Sequence, residues 1–187
     1  YTAAVEIQRN MLYNFYRVIC KLQGSITAMA KDVKTNVMRI LDKEKISYKH
    51  YDYSKTGCTN GNDIAQILGE NPDRVFKTLV TQGSKTKDYY VFMVPVNKEL
   101  SLKKAALAVG EKSIQMIPQK DLLKVAGYVH GGCSPIGMKK QFTTTIHSTA
   151  GQFDTIIFSA GKVGYQVELS LADLGRVCPV ASKDIAE

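Results

Sequence analysis

The run VFKTLVT at residues 75–81 decides the fold, because together with the strand that follows it makes the best β-hairpin candidate in the chain. The turn-like segment 82–87 joins it to the apolar run YYVFMVPV at residues 89–96. Two β-prone runs joined by a short polar segment predict a hairpin. Helices and strands surround it in irregular order, which indicates an α+β fold with a mixed sheet and not a doubly wound parallel one.

Short amphipathic helices are predicted before this hairpin. The first has Asp32 near its start and one apolar face, formed by Val33, Val37, Ile40 and Leu41. The second ends at Gly69 and is expected to turn three apolar side chains inward, those of Ile64, Ile67 and Leu68.

The remaining elements are equally short. Helices are expected at residues 102–109, 118–125 and 171–178, with Ser101 and Ser170 as N-caps of the first and last. Strands are expected at residues 47–53, 114–117, 142–146, 155–159 and 165–169. With 187 residues and no internal repeat, the chain has room for one domain with a full core.

The N-terminal residues do not fit this pattern. Residue 1 is tyrosine, and segment 1–28 holds an apolar stretch that lacks the basic start of a signal peptide. We therefore expect residues 1–28 to be an N-terminal extension and residues 29–187, from Met29 onward, to form the domain. No apolar run is long enough for a transmembrane helix, so no membrane association is expected.

The charge and the cysteines restrict the function class. The formal net charge is +8, which favours a polyanionic partner, although a solvated basic surface explains the charge as well. The four cysteines and three histidines are scattered, with no CxxC spacing. This pattern argues against a metal site or a disulfide framework and is typical of a protein of the reducing cytoplasm. No metal or cofactor is expected.

Lys77 is an unusual residue for its position in the predicted strand. Strict alternation places it on the same face as Val75 and Leu79, which is otherwise expected to be buried. A lysine there must reach water, pair with an acid or bind a ligand. The strand could also lie at the edge of the sheet, where a lysine reaches solvent easily.

The sequence GGCSPIG at residues 131–137, here called the glycine loop, is the strongest candidate for a binding element. Glycine lets backbone approach a ligand closely, and proline fixes φ. Such a loop can expose backbone N–H groups to an anion or a carbonyl. Cys133 within it lacks an assignable base and is interpreted as a packing residue, not a nucleophile.

Three motifs in the same order resemble the YbaK/EbsC family of aminoacyl-tRNA deacylases. They are NPDRVFKTL at residues 71–79, the glycine loop, and SAGK at residues 159–162 followed by Glu168 and Leu169. The family is related to the editing domain of bacterial prolyl-tRNA synthetases. The resemblance runs from about Met29 to the C-terminus and implies a single domain with a mixed, barrel-like sheet surrounded by helices.

The resemblance also implies which residues form the site. Lys77 would hold the terminal nucleotide, and the backbone groups of Gly131 to Gly137 would surround the aminoacyl group, with Lys77, Gly131 and Gly132 as the catalytic residues. The other implied substrate-binding residues are Tyr53, Thr78, Ser134, Pro135, Gly137, Ser159, Gly161 and Gln166. YbaK-like members carry an aspartate where this sequence has Gln166, so the amino-acid specificity stays open.

The implied activity is trans-editing, the hydrolysis of the ester between a wrong amino acid and the 3′ end of tRNA. The implied substrate is Cys-tRNA(Pro), whose own thiol attacks the ester, so that no protein nucleophile is needed. Ala-tRNA(Pro) or another small misacylated amino acid is an alternative substrate. A non-catalytic module that binds tRNA or prolyl-tRNA synthetase is an alternative function.

Overall fold

An eight-stranded mixed sheet forms the framework of the protein in the computed structural model, which describes residues 33–187. Its strands are β1 (Lys49–Asp52), β2 (Val75–Gly83), β3 (Tyr89–Pro95), β4 (Ile114–Met116), β5 (Thr143–His147), β6 (Ile156–Ser159), β7 (Tyr165–Leu169) and β8 (Val180–Lys183). Residues 34–187 form one compact unit. The expected extension at residues 1–28, the start at Met29 and the helix-start residue Asp32 lie outside the described residues.

Within residues 33–187, five short α-helices and three 3-10 turns pack around the sheet. The helices are α1 (Asn36–Lys43), α2 (Gly61–Leu68), α3 (Leu102–Val109), α4 (Gln119–Ala126) and α5 (Leu171–Val177), and the 3-10 turns are Ser54–Thr56, Pro72–Arg74 and Ser148–Gln152. In this part of the chain no helix is long and apolar enough to span a bilayer. The predicted α+β class with a mixed sheet is confirmed.

The predicted hairpin lies at the centre of the sheet. The strand order is β1-β7-β6-β2-β3-β5-β8, with β4 also paired to β2. The hairpin is antiparallel, from Phe76 opposite Pro95 to Gln82 opposite Tyr89. On its other side β2 runs parallel to β6. β2 is therefore not an edge strand, and the edge-strand explanation for Lys77 is wrong, although Lys77 itself lies after the β6 pairs and before the β4 pairs on that side.

The core is divided between the two faces of β2. Phe76 is almost fully buried and enters the largest apolar cluster together with Met93 and Phe158. Val75, the neighbour that points the other way, packs with a different cluster that contains Ala65 of α2. Burial of one such side chain contributes about 1.5–3 kcal/mol, so both faces of β2 stabilise the fold.

Several local predictions need correction. Helix α1 begins at Asn36 and is capped by Thr35, whose hydroxyl accepts from the Met38 N–H, so Val33 precedes the helix and is 48% exposed. Ile67 does not point inward, since it is 39% exposed. Ser101 is an N-cap residue but makes no side-chain capping bond. Strand β8 was not predicted, because its mostly exposed residues show no apolar alternation.

The hairpin turn is held by a buried carboxylate. Glu111 is 5% exposed, and its oxygens accept from the backbone N–H groups of Lys85 and Thr86, from the Thr86 hydroxyl and from the Tyr90 hydroxyl at 3.0 Å. A Cβ on Gly83 would lie 2.3 Å from a Glu111 oxygen, which explains the glycine there. The hydrogen bond from Thr86, with the others, lowers the pKa of Glu111 from 4.5 to about 2.

We expect Glu111→Gln to lower the melting temperature at pH 7 by several degrees, because the amide nitrogen cannot accept these hydrogen bonds. The lowered pKa contributes stability above about pH 4.5, and this contribution is lost as the pH falls toward 2. Thermal unfolding of both proteins between pH 2 and pH 7 therefore should give melting curves that converge at low pH. A constant difference across that range would contradict the role of the ionised carboxylate.

Candidate active site

Three of the predicted site residues lie at one level on three neighbouring strands. The parallel ladder ends with Phe76 opposite Phe158, and Lys77 and Ser159 are the residues that follow on the two strands. In the antiparallel ladder Ser159 faces Gln166. Residues that face each other across a sheet project from the same side. Lys77, Ser159 and Gln166 therefore form a row of polar side chains across β2, β6 and β7.

Gln166 is a buried polar residue with an unused acceptor. It is 5% exposed, and its Oε1 atom has no hydrogen-bond partner among residues 33–187. Thr78 has the same property, since its Oγ1 is buried without a partner in the described chain. It lies on the opposite face of β2 from Lys77, by the alternation of the strand. Native proteins seldom leave such atoms unpaired, so each is a candidate contact for a ligand or a water molecule.

Lys77 is paired with an acid that solvent reaches. Its Nζ atom lies 2.8 Å from Glu99 Oε1, and the Lys77 side chain is 27% exposed whereas that of Glu99 is 81% exposed. The backbone of Glu99 exchanges two hydrogen bonds with Glu187, of 3.1 and 3.0 Å. An exposed pair of this kind contributes only about 0–1 kcal/mol. An anion or a ribose hydroxyl can therefore replace Glu99 at little cost.

The strands beside Gln166 are fixed by Glu168, which is two residues further along β7. Its carboxylate accepts from Thr155 at 2.7 Å and from the Tyr51 hydroxyl on β1, and it pairs with Arg74 just before β2. Burial would raise the pKa of Glu168, but the hydrogen bonds from Thr155 and Tyr51 and the charge of Arg74 lower it to about 2. The carboxylate is thus ionised and ties β1, β7 and the start of β2 together.

The first half of the glycine loop packs against the turn between β6 and β7. A Cβ on Gly132 would lie 3.1 Å from the backbone nitrogen of Val163, and one on Gly131 would lie 3.4 Å from Thr59. Gly131 has φ 77°, in the left-handed region that favours glycine. The Gly132 N–H donates to Val129 O at 3.0 Å. It is therefore not a free donor.

Three further backbone N–H groups of the glycine loop differ from that of Gly132. The N–H groups of Gly131, Cys133 and Ser134 find no acceptor among residues 33–187, although Cys133 and Ser134 are buried. Buried N–H groups are almost always paired with protein, water or ligand. These three groups are consequently the donors that the loop can offer to an anion or a carbonyl oxygen.

The second half of the glycine loop, residues 134–137, is packed against the rest of the protein and supports the first half. Ser134 is fully buried and its hydroxyl accepts from the Ile136 N–H at 3.4 Å, and Pro135 is buried beside it. Gly137 has φ 73°, and a Cβ there would lie 2.9 Å from Ile40. The predicted contact of this half with substrate stays a prediction.

Tyr128 was missed as a site residue, and it connects the two glycine-containing segments. Its hydroxyl donates to Ile136 O at 2.6 Å, and its ring lies where a Cβ on Gly161 would be, at 3.0 Å. Burial raises the pKa of Tyr128 to about 12, so the phenol keeps its proton. An aromatic residue with a polar tip directly before the loop was the available signal.

Ser159, Gly161 and Tyr53 shape the neighbouring turn. The Ser159 hydroxyl accepts from the Gly161 N–H at 3.3 Å, and Gly161 has φ 82°. Tyr53 is 4% exposed, its N–H donates to Gly164 O at 2.8 Å, and burial raises its pKa to about 12. These contacts bring Tyr53, Ser159 and Gly161 together at the turn between β6 and β7.

Protein nucleophiles and metal ligands are not assembled here. Cys133 is 7% exposed and packs against Val80 and Tyr128, and burial raises its pKa to about 12, which confirms it as a packing residue. Within residues 33–187, no group of three His, Cys, Asp or Glu side chains could hold a metal ion. The arrangement provides a cation, unpaired backbone N–H groups and an amide acceptor. Such a site can orient a substrate and stabilise an oxyanion.

Sequence comparisons match the chain to aminoacyl-tRNA editing proteins. A sequence model of the family described as "Aminoacyl-tRNA editing domain" matches residues 57–177. The Enterococcus faecalis protein "Putative Cys-tRNA(Pro)/Cys-tRNA(Cys) deacylase EbsC" is 47% identical over 138 residues, which are 73% of this chain and 84% of that protein. A proline–tRNA ligase of Fervidobacterium nodosum is 26% identical over 160 residues, which are 78% of this chain and 27% of the ligase.

Solved structures share the fold. One described as "a putative trans-editing enzyme for prolyl tRNA synthetase" has a TM-score of 0.70 and 19% identity, and the match covers 81% of this chain and 96% of that one. A hypothetical protein matches with a TM-score of 0.74 and 16% identity over 82% of this chain and 100% of its own. At these identities the matches establish the fold alone.

The family match covers more than half of the chain, and the Enterococcus relative is matched over most of its length. The resemblance to the YbaK/EbsC family in the three sequence motifs is thereby confirmed. The chain belongs to the family of aminoacyl-tRNA editing domains.

Proposed function

We propose that the protein is a cytoplasmic trans-editing enzyme that removes cysteine from wrongly charged Cys-tRNA(Pro). The observation that carries this proposal is the row formed by Lys77, Ser159 and Gln166, which leads into the β6–β7 turn on which the glycine loop packs, in a chain that is 47% identical to a protein named as a Cys-tRNA deacylase. The row contains a cation for the terminal nucleotide and an unpaired amide oxygen for the amino acid. The similarity to part of a proline–tRNA ligase supports tRNA(Pro) as the substrate, and prolyl-tRNA synthetase is the candidate partner.

Lys77 binds the 3′-terminal nucleotide in this proposal. Its ammonium group leaves Glu99 and donates to a phosphate or ribose oxygen, an exchange that the exposure of Glu99 makes inexpensive. Ser159 on the neighbouring strand bounds the space next to it, and Tyr53 and Gly161 shape the turn that follows Ser159. The net charge of +8 adds a general, salt-dependent attraction for tRNA.

The glycine loop holds the ester. The N–H groups of Gly131 and Cys133 donate to the carbonyl oxygen. The N–H of Gly132 already donates to Val129 O, so the role of Gly132 is to leave space, because it has no side chain. In a serine protease, removal of one donor aimed at the developing oxyanion costs about 2.7–4 kcal/mol of transition-state stabilisation. Gln166 Oε1 accepts from the amino group of the cysteine, the one strong donor that this amino acid presents there.

The cysteine thiol supplies the nucleophile. Its sulfur attacks the carbonyl carbon of its own ester, a C–S bond forms, and the C–O bond to the ribose breaks. The thiol proton passes to the departing ribose oxygen, and the products are tRNA with a free 3′ end and a cyclic thiolactone. Holding two such groups in near-attack geometry accelerates the reaction without a protein base.

A panel of misacylated tRNAs tests the proposal. The purified protein is incubated with Cys-tRNA(Pro), Ala-tRNA(Pro) and Ser-tRNA(Pro), and release of the amino acid is followed at equal enzyme concentration. We expect rapid release of cysteine and slower release of alanine and serine, which lack a thiol. Equal release of alanine would contradict the thiol mechanism, and binding of all three without release would indicate a non-catalytic tRNA-binding module.

A further inference from the structure

A cleft is formed in part by the residues directly before the glycine loop in the chain. It has a volume of about 460 Å³ and is lined by Gln119, Lys120 and Leu123 of α4 and by Val129 and His130. Leu123 is 55% exposed and Val129 is 51% exposed, so the cleft presents an apolar floor to solvent. The proposed deacylation site uses none of these side chains.

The cleft and the loop share one turn of backbone. His130 is followed at once by Gly131, and consecutive Cα atoms are about 3.8 Å apart. Val129 O accepts the Gly132 N–H, which closes this turn. A linear ligand with its end in the glycine loop can therefore reach the cleft within one nucleotide or residue.

The surroundings of the cleft are basic. Segment 112–153 contains a single acidic residue, Asp121, and five lysines, which are Lys112, Lys120, Lys124, Lys139 and Lys140. All five are exposed. Among residues 33–187, none of them pairs with a carboxylate, and Lys139 Nζ instead donates to Lys124 O at 3.2 Å. The positive charge is thus available to an anionic ligand.

We propose that this cleft binds the unpaired nucleotides that precede the terminal adenosine of the tRNA 3′ end. This inference rests on the proposed deacylase function. The imidazole of His130 and the apolar floor formed by Leu123 and Val129 receive a base, and Lys120 contacts the phosphate that links it to the next nucleotide. Stacking combined with a cationic groove is the general mode by which proteins bind single-stranded nucleic acid.

The positive charge around the cleft indicates which kind of ligand binds there. A protein partner that covered Leu123 and Val129 would have to be acidic to match the lysines, whereas a nucleic acid matches both the apolar floor and the cations. A strand held at its 3′ end by the glycine loop also arrives in the cleft without a separate docking step. The cleft is therefore a subsite for the same substrate, not an independent interface.

Binding of two ligands that differ only in these nucleotides tests the inference. The affinities of the trinucleotide CCA and of adenosine monophosphate are measured for the wild type, Lys120→Ala and His130→Ala. We expect both variants to bind CCA about five- to tenfold more weakly and to bind adenosine monophosphate unchanged. Lys103→Ala and Leu107→Ser on α3 are matched controls, since they alter an exposed lysine and an apolar side chain that is 73% exposed, and both should bind CCA normally.

The outcomes separate the inference from the proposed function. Unchanged CCA binding in both cleft variants overturns the inference even if the wild type deacylates Cys-tRNA(Pro). Equal loss of CCA and adenosine monophosphate binding also overturns it, because the cleft would then hold the terminal adenosine. If the wild type releases no amino acid but CCA binding is weakened selectively, the deacylase function fails and the nucleotide subsite stands.

Discussion

Lys77→Ala should reduce deacylation of Cys-tRNA(Pro) on the order of 100-fold, because a hydrogen bond to a charged group contributes about 1.5–3 kcal/mol and each 1.36 kcal/mol changes a rate tenfold. The loss should appear mainly in kcat/KM, since Lys77 binds the nucleotide in both the ground state and the transition state. Fold stability should change little, because the partner of Lys77 is the largely exposed Glu99.

Glu99→Gln is the matched control for this experiment. It breaks the same ion pair and leaves the Lys77 ammonium in place. If the pair only stabilised the fold, both variants would lose activity and melting temperature together. We expect Glu99→Gln to keep wild-type activity within a few-fold, while circular dichroism gives native spectra for both. Full activity of Lys77→Ala would remove Lys77 from the site.

The position of Lys77 illustrates what the sequence contains and what it lacks. Alternation along the strand placed Lys77 on an otherwise apolar face, and that inference is correct, since Val75 enters a core cluster. The central position of this strand in the sheet could not be predicted from the sequence. It depends on the parallel pairing of β2 with β6, whose facing residues Phe76 and Phe158 are about eighty positions apart, and local periodicity carries no information on such contacts.

The glycine loop was visible in the sequence because its composition is unusual, but the use of its backbone groups was not. Gly132 was expected to surround the aminoacyl group through its backbone, whereas its N–H is used within the turn by Val129. The partner of a backbone N–H depends on the φ and ψ angles of the loop. These follow from packing against Val163 and Tyr128, which belong to other parts of the chain.

No local sequence pattern identifies Glu99 as the partner of Lys77. Its carboxylate meets Lys77 because the hairpin register places Val94 opposite Lys77, and because residues 99 and 187 pair through their backbones. Both conditions are tertiary. A lysine on a buried face predicts that some partner exists, and only the structure identifies which one. The sequence therefore predicts which kinds of side chain form the site. Which residues those side chains contact is determined by how the strands pair in the sheet.

Gly132→Ala should lower kcat about tenfold with little change in KM. The added methyl would lie 3.1 Å from the Val163 backbone nitrogen and 3.4 Å from the Lys162 carbonyl carbon, and backbone atoms cannot rotate away as a flexible side chain does. The loop must therefore move by a few tenths of an ångström. A displacement of 1 Å at a reacting group can cost about 100-fold, so a smaller shift of the N–H donors gives a smaller loss. The nucleotide contact of Lys77 is untouched, which preserves KM.

Gly151→Ala separates this effect from the general cost of adding a methyl group. A Cβ on Gly151 would meet no heavy atom within 4 Å, and Gly151 does not have a positive φ, so its substitution should leave kcat and melting temperature unchanged. Single-turnover release of cysteine from Cys-tRNA(Pro) measures the chemical step directly for both variants. An unchanged rate in Gly132→Ala would show that the close packing of the loop on the turn between β6 and β7 does not set the position of the ester. A tenfold loss confined to this step would place the reacting carbonyl against Gly131 and Cys133, because those two N–H groups move with Gly132.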